Sequence, residues 1–138
     1  MAKQTNVLAF DFGASGGRAV LAKCDGKKIV LKEIHRFSND PVIVNGSMYW
    51  DVLRLFYEIK QGLLLAKQEC RVDSVGIDTW GVDFAFLDKD GRIMENPVHY
   101  RDKRTDGMLQ ESLKIIDKKL FYEVTGNQFM EINTVFQL

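Results

Sequence analysis

The sequence has no excess of charge of either sign: lysine plus arginine and aspartate plus glutamate number 19 each, so the formal charge is zero. A chain without a basic surplus lacks the electrostatic footprint of a nucleic-acid binder, and any anion it holds must be held by local groups. Cysteine is scarce. Cys24 and Cys70 stand far apart with no C-x-x-C or metal-ligand spacing, and they read as reduced thiols rather than a disulfide. The two histidines, His35 and His99, have no third group beside them to complete a catalytic arrangement. No apolar run approaches the roughly 18 residues of a membrane span, and the opening M-A-K-Q-T-N lacks the hydrophobic stretch of a signal peptide, so the expected location is cytoplasmic.

What is present fits one ordinary domain: 138 residues suffice for a real core. Residues 7–12 are apolar except for Asp11, the pattern of a buried central strand. A glycine-rich turn follows, then strands at 19–23 and 29–37 joined through Asp25-Gly26, a hairpin signal. Strands joined by tight turns make an antiparallel start, which excludes a Rossmann unit, where a helix follows the first glycine turn. Asn45-Gly46 predicts a small hairpin of 42–44 with 47–50, after which Asp51 caps a helix whose buried stripe is Val52, Phe56, Ile59, Leu63 and Ala66. Gly62 inside that helix predicts close packing on the sheet. Residues 74–78 read as a second buried strand ending in an acid. A hairpin of 84–87 with 92–94 turns at Asp90-Gly91, and from Thr105 a helical face of Leu109, Leu113, Ile116 and Leu120 runs toward a stop at Gly126. The order strand-strand-strand-helix-strand is that of a ribonuclease-H-like domain, the unit of actin-like ATPases. The predicted class is therefore α/β: a mixed sheet with an antiparallel three-strand start and flanking helices.

Two strand ends carry a carboxylate beside glycine: D-F-G-A-S-G-G-R at 11–18 and G-I-D-T-W-G-V-D-F at 76–84. In the first, Gly13, Gly16 and Gly17 clear side chains from a backbone whose N–H groups can face a phosphate; Ser15 offers a hydroxyl and Arg18 a charge. Asp11 is placed to hold Mg²⁺ directly or through water, since magnesium takes only one or two carboxylates and keeps most of its waters. No G-K-[ST] follows, so this is not a Walker A loop. In the second, Asp78, Thr79 and Asp83 offer hydrogen-bonding groups, Trp80 a flat apolar face suited to a sugar, and Gly81 a backbone open to a ligand. Each motif alone also fits a plainer account, a glycine turn with a capping aspartate in one case and a strand end with a core tryptophan in the other. Their pairing about a domain's width apart favours one cleft for phosphotransfer. A third motif, H-Y-R-D-K-R-T at 99–105, reads as Arg101, Asp102 and Arg104 pairing among themselves, and Lys114 to Lys119 as a solvated helix face.

Together with E-I-H-R-F at 33–37, Y-W-D at 49–51 and Y-R-D-K-R-T at 100–105, these motifs resemble, in order and spacing, the N-terminal part of the FGGY family of carbohydrate kinases. The first motif occurs across many sugar kinases, whereas W-G-V-D-F points to one branch of the family. The resemblance implies an enzyme that uses ATP with Mg²⁺ to phosphorylate a small-molecule sugar; the balanced charge and the lack of a long apolar run argue against a nucleic-acid or membrane partner. It implies that Ala14, Ser15, Gly16, Gly17 and Arg18 bind the ATP phosphates, that Gly81 contacts the sugar beside Trp80 and Asp83, and that Asp11 lies near the metal. The family's loop often has a second serine where this chain has Gly16, which removes one hydroxyl contact and leaves backbone binding of phosphate intact. Family members have two domains and a catalytic aspartate in a later segment. The expectation is that residues 1–138, ending in the apolar T-V-F-Q-L, are the N-terminal portion of the first domain, with the base beyond Leu138 and the second domain absent. A non-catalytic actin-like module that binds nucleotide is the alternative from another class; a sugar-sensing regulator of that kind would bring a helix-turn-helix, and this chain opens directly in its first strand.

Overall fold

The computed structural model describes residues 4–138; residues 1–3, part of the opening segment read above for a signal peptide, lie outside the described residues. The elements run β1 (Thr5–Phe12), β2 (Gly16–Cys24), β3 (Ile29–Ser38), β4 (Val42–Val44), β5 (Ser47–Tyr49), α1 (Val52–Glu69), β6 (Ser74–Thr79), α2 (Met108–Ser112) and α3 (Lys118–Thr125), with short 3-10 turns at Lys103–Thr105 and Thr134–Phe136. They fall into two compact units, Met1–Asp40 with Asp51–Gly81, and Pro41–Trp50 with Val82–Leu138. Among the described residues no helix is long and apolar enough to cross a membrane.

The first unit is a mixed sheet in the order β3-β2-β1-β6 carrying α1 on one face. The first three strands are antiparallel neighbours, and β6 returns parallel to β1. Strand alternation sorts the side chains: Leu8, Phe10 and Phe12 of β1, Ala19 and Leu21 of β2 and Phe37 of β3 are buried with Ala66 of α1, while Asp11 and Arg18 stand on the opposite face. α1 begins where the sequence placed it, with the Asp51 carboxylate accepting from the Arg54 N–H at 3.0 Å, a cap worth about 1 kcal/mol.

The helix's buried face differs from the predicted stripe. Leu55, Ile59, Leu63 and Ala66 pack on the sheet, but Phe56 is 58% exposed, with the Lys60 ammonium 5.2 Å from its ring centre. On the other flank of that face Glu58 is 2% exposed, its carboxylate meeting His35 Nε2 at 2.6 Å and accepting from Arg54 Nε at 2.6 Å. A residue polar by composition is thus buried because two partners hold its charge. Gly62 behaves as expected: a Cβ there would lie 2.7 Å from the Phe10 ring and 3.1 Å from Ala19 Cβ. Its helix penalty of about 1 kcal/mol is offset by the close approach of helix to sheet.

The second unit starts from the β4–β5 hairpin, turned by Asn45 (φ 51°) and Gly46 (φ 85°). Tyr49 bridges Val98, and the buried Trp50 stacks on His99 with ring centres 3.9 Å apart. The continuous helical face predicted from Thr105 is broken into α2 and α3. Asp117 ends the run by capping α3, its carboxylate accepting from the N–H groups of Lys119 (2.9 Å) and Leu120 (3.1 Å). The lysines at 114 and 119 therefore belong to different segments rather than to one solvated face, and Phe121, not Leu120, turns inward. Gly126 stops α3 as predicted, at φ 64°. The predicted hairpin of 84–87 with 92–94 is present in short form: Leu87 bridges Ile93, flanked by Asp88 N–H to Arg92 O at 2.9 Å and Met94 N–H to Phe86 O at 3.1 Å, while the Asp88 carboxylate accepts from the N–H groups of Asp90 and Arg92 in the turn.

Candidate functional site

The parallel pairing of β1 and β6 decides the geometry. Asp11 is the register partner of Asp78, and Phe12 of Thr79, so the chain leaves both strands at the same edge of the sheet. β1 runs on into the glycine turn and β6 into Trp80-Gly81. In open α/β sheets this edge, beyond the carboxyl ends of parallel strands, is where ligands bind. The two motifs read separately in the sequence are therefore side by side.

Register also places Arg18, Asp11 and Asp78 in a row across β2, β1 and β6, on the face away from α1. Arg18 holds Asp11 Oδ2 through Nη2 at 2.7 Å and Nε at 2.9 Å. Both side chains are about half exposed, so the pair contributes at most about 1 kcal/mol. Asp78 is exposed beside them. Two carboxylates on adjacent strands repel, and a cation placed with them relieves that cost. Among the described residues no group of three or more acidic, histidine or cysteine side chains could enclose a metal. A pair of carboxylate oxygens suits magnesium, which draws its remaining ligands from water and phosphate.

In the turn itself the Gly13 N–H donates to Gly16 O at 2.9 Å. Asn39, just beyond β3 and 5% exposed, donates through Nδ2 to Gly13 O at 2.9 Å and through its backbone N–H to Ser15 O at 3.2 Å. Ser15 and Arg18 are exposed, while Ala14 and Gly16 are half-buried and Gly17 is buried. The glycines were read as clearing room for a phosphate, but the structure gives them a further reason. A Cβ at Gly13 would meet Gly16 O at 2.9 Å, one at Gly16 would meet Phe37 O at 3.1 Å, and one at Gly17 would fall 2.2 Å from the Phe37 ring. An aromatic ring laid over a cross-strand glycine is a known way of pinning register. Gly81 is the opposite case: it is exposed, and a Cβ there meets nothing within 4 Å, so the fold itself does not require glycine. Trp80 is partly buried and packs against the core of the first unit.

Asp83 belongs to the second unit. One of its carboxylate oxygens accepts from Trp50 Nε1, and the other from Gln137 Nε2 at 3.3 Å. Gln137 Nε2 also donates to Val82 O at 3.0 Å, and Thr134 Oγ1 to the same carbonyl at 2.7 Å, so the segment after Gly81 is held at several points. Residues 101–104 do not pair as expected. Asp102 accepts from the N–H groups of Met48 (2.7 Å) and Arg104 (2.9 Å), Arg104 Nη2 donates to Gln137 Oε1 at 2.8 Å, and Arg101 lies over the Tyr100 ring. His99 is 1% exposed, and burial holds its pKa below the usual imidazole range despite the nearby charge of Asp83. Its Nδ1 accepts from the Arg101 N–H at 2.9 Å, which places the ring proton on Nε2.

Sequence reasoning missed Asn39 and Glu58. Both are polar residues whose burial depends on a partner far away in sequence, Gly13 for Asn39 and His35 for Glu58. The usable signal for Asn39 was its position at the end of the third predicted strand, where antiparallel pairing with β2 brings it opposite the turn.

A three-strand antiparallel start, a crossover helix and a parallel fourth strand with acids at the shared edge define the actin-like ATPase class of folds. The chain is similar to the gluconate kinase of Lactobacillus acidophilus, with a TM-score of 0.76 and 14% identity over 98% of this chain and 27% of that one. It is likewise similar to the glycerol kinase of Plasmodium falciparum solved with ADP, with a TM-score of 0.75 and 14% identity over 97% and 28%. Residues 6–138 match the N-terminal domain of the FGGY family of carbohydrate kinases. The rhamnulokinase of Halalkalibacterium halodurans is 47% identical over 133 residues, covering 95% of this chain and 28% of that protein. The chain belongs to the FGGY family of carbohydrate kinases. It spans a little over a quarter of the length of that curated relative.

Proposed function

We propose that this chain supplies the phosphate loop and one wall of the sugar site of an ATP-dependent kinase that transfers the γ-phosphate to the 1-hydroxyl of L-rhamnulose in rhamnose breakdown. The observation that carries the reading is the parallel register of β1 and β6, which brings two acid-and-glycine strand ends to one edge. The 47% identity to a rhamnulokinase and the W-G-V-D-F stretch support this sugar over those of sister enzymes.

In this reading the backbone of Ala14 to Gly17 and the Arg18 guanidinium take the ATP phosphates, and Asp11, with Asp78 beside it, holds Mg²⁺. When bound, the metal would neutralise charge on the phosphate oxygens. Gly81 and Trp80 form the sugar wall, and Asp83 steadies the segment that follows. The proton-accepting base lies in a later segment, as the family resemblance implies, so the 138-residue chain alone binds nucleotide weakly and phosphorylates no sugar. Catalysis of this kind rests on positioning and charge rather than covalent chemistry.

The test is a coupled ADP-release assay on the intact protein carrying this segment, with L-rhamnulose, other ketoses and polyols. The highest kcat/KM is expected on L-rhamnulose. A higher value on another ketose or polyol makes it a sister enzyme, and nucleotide binding without sugar-dependent turnover makes it a non-catalytic module.

A further inference from the structure

We propose that Asn39 is the positioning residue of the phosphate loop. The inference rests on the phosphate-loop reading above and adds a residue that the motif does not contain. Asn39, one residue past the last β2–β3 register pair, Gly16 with Ser38, is buried against the turn. Its side-chain amide donates to Gly13 O at 2.9 Å, and its backbone N–H to Ser15 O at 3.2 Å.

A trans peptide unit points its N–H away from its C=O. Gly13 O shares a peptide plane with the Ala14 N–H, and Ser15 O with the Gly16 N–H. Pinning Gly13 O toward Asn39 turns the Ala14 N–H away from it, whereas the Gly16 N–H, on the same side of its residue as the Gly16 O that accepts from Gly13 N–H, faces β1. A loop free to flip the Gly13–Ala14 plane would present a carbonyl oxygen to an anion instead of a donor. The side chain matters more than the backbone contact. The Ser15 bond continues the β2–β3 pairing and survives any substitution at 39, whereas the Gly13 carbonyl, at the mouth of the turn, is held by Nδ2. Of the two peptide planes, the Gly13–Ala14 plane is the one that the Asn39 side chain sets.

The experiment compares Asn39→Ala, Asn39→Asp and Ala14→Pro in the intact protein carrying this segment. Asn39→Asp keeps the shape of the side chain but replaces the donor by an acceptor facing Gly13 O. Ala14→Pro deletes the aimed N–H outright, at the first central position of the turn, where proline is well accommodated. The KM for ATP is expected to rise about tenfold in Asn39→Ala, the equivalent of one lost hydrogen bond, and further in Asn39→Asp, with the KM for the sugar unmoved. Should Asn39→Ala fail to fold, the isosteric Asn39→Asp carries the comparison. If the Asn39 variants lower only the melting temperature while Ala14→Pro raises the KM for ATP, the proposal for Asn39 is overturned and the phosphate loop stands. If Ala14→Pro also leaves ATP untouched, the phosphate-loop reading itself fails.

Discussion

Replacing Gly17 by alanine separates two reasons for a glycine in the turn. An ideal Cβ at this position lies 2.2 Å from Phe37 Cζ and 2.4 Å from Cε2. Carbon atoms in contact normally sit about 3.5–4.0 Å apart, so the ring must retreat by more than an ångström. It has little room: Phe37 is 9% exposed, with the Phe12 ring centre 5.6 Å and the His35 ring centre 5.4 Å away. Forcing an extra methyl into such a site costs about 1–3 kcal/mol. The residue's backbone is outside the left-handed region, so no φ penalty adds to this. Were room for phosphate its only purpose, alanine would leave the ligand-free protein unchanged or stabilise it by about 0.4–1 kcal/mol through the unfolded state. The clash with the Phe37 ring costs about 2 kcal/mol, or roughly 8–16 °C in Tm for a unit of this size. Urea and thermal melts should be run without nucleotide, because a bound ligand raises apparent stability. Phe37→Leu, which shortens the clashing ring, should relieve the second substitution so that the double variant is less destabilised than the sum by about 1 kcal/mol. A Gly17→Ala protein that melts with the wild type, or a strictly additive double variant, refutes the reasoning.

Gly81→Val should leave Tm unchanged within the scatter of ordinary surface substitutions, about 0.5 kcal/mol, while weakening sugar binding and sparing ATP in calorimetric titrations; equal sugar affinity would remove Gly81 from the wall. Asp11→Asn should lower kcat about a hundredfold or more with the fold intact, and kinetics at limiting Mg²⁺ near the wild-type rate would exclude a metal role. His99 has a folded pKa below its unfolded value of about 6.5, so the unfolded chain binds more protons at acid pH. Its contribution to stability is complete above about pH 6.5 and declines as the pH falls below it. Denaturant melts from pH 8 to 5 should show that slope reduced in His99→Phe, and an identical slope would assign it to other groups.

The strands of the first unit and the hairpins at Asp25-Gly26 and Asn45-Gly46 were legible because alternation and turn chemistry are local, but β6, read as a buried strand, is an edge strand with Val75 47% and Ile77 55% exposed. So was α1, down to its Asp51 cap, and so was the packing role of Gly62, since a glycine that costs helix stability invites a steric explanation. Legibility ended where a residue's environment comes from elsewhere in the chain. Phe56 looked like core and is exposed, and Glu58 looked like surface and is buried, because His35 on β3 and Arg54 one turn back provide its partners. The break between α2 and α3 was hidden by an apolar repeat that continued through it, although Asp117 was a capping residue in plain view.

The candidate site divides along the same line. By itself the sequence determined the chemistry of each strand end: a carboxylate, glycines and a hydroxyl at 11–18, and a tryptophan beside a glycine at 80–81. These are properties of residue type and short spacing, carried by the chain whatever it folds into. The tertiary structure decided which of them share an edge. The parallel register sets Asp11 beside Asp78, the Phe37 ring explains Gly17, the amide of Asn39 aims the turn, and Trp50 and Gln137 claim both oxygens of Asp83. Each of these is a contact between residues more than fifteen positions apart. Register and burial arise only when the whole sheet and its helix pack, which no local pattern encodes.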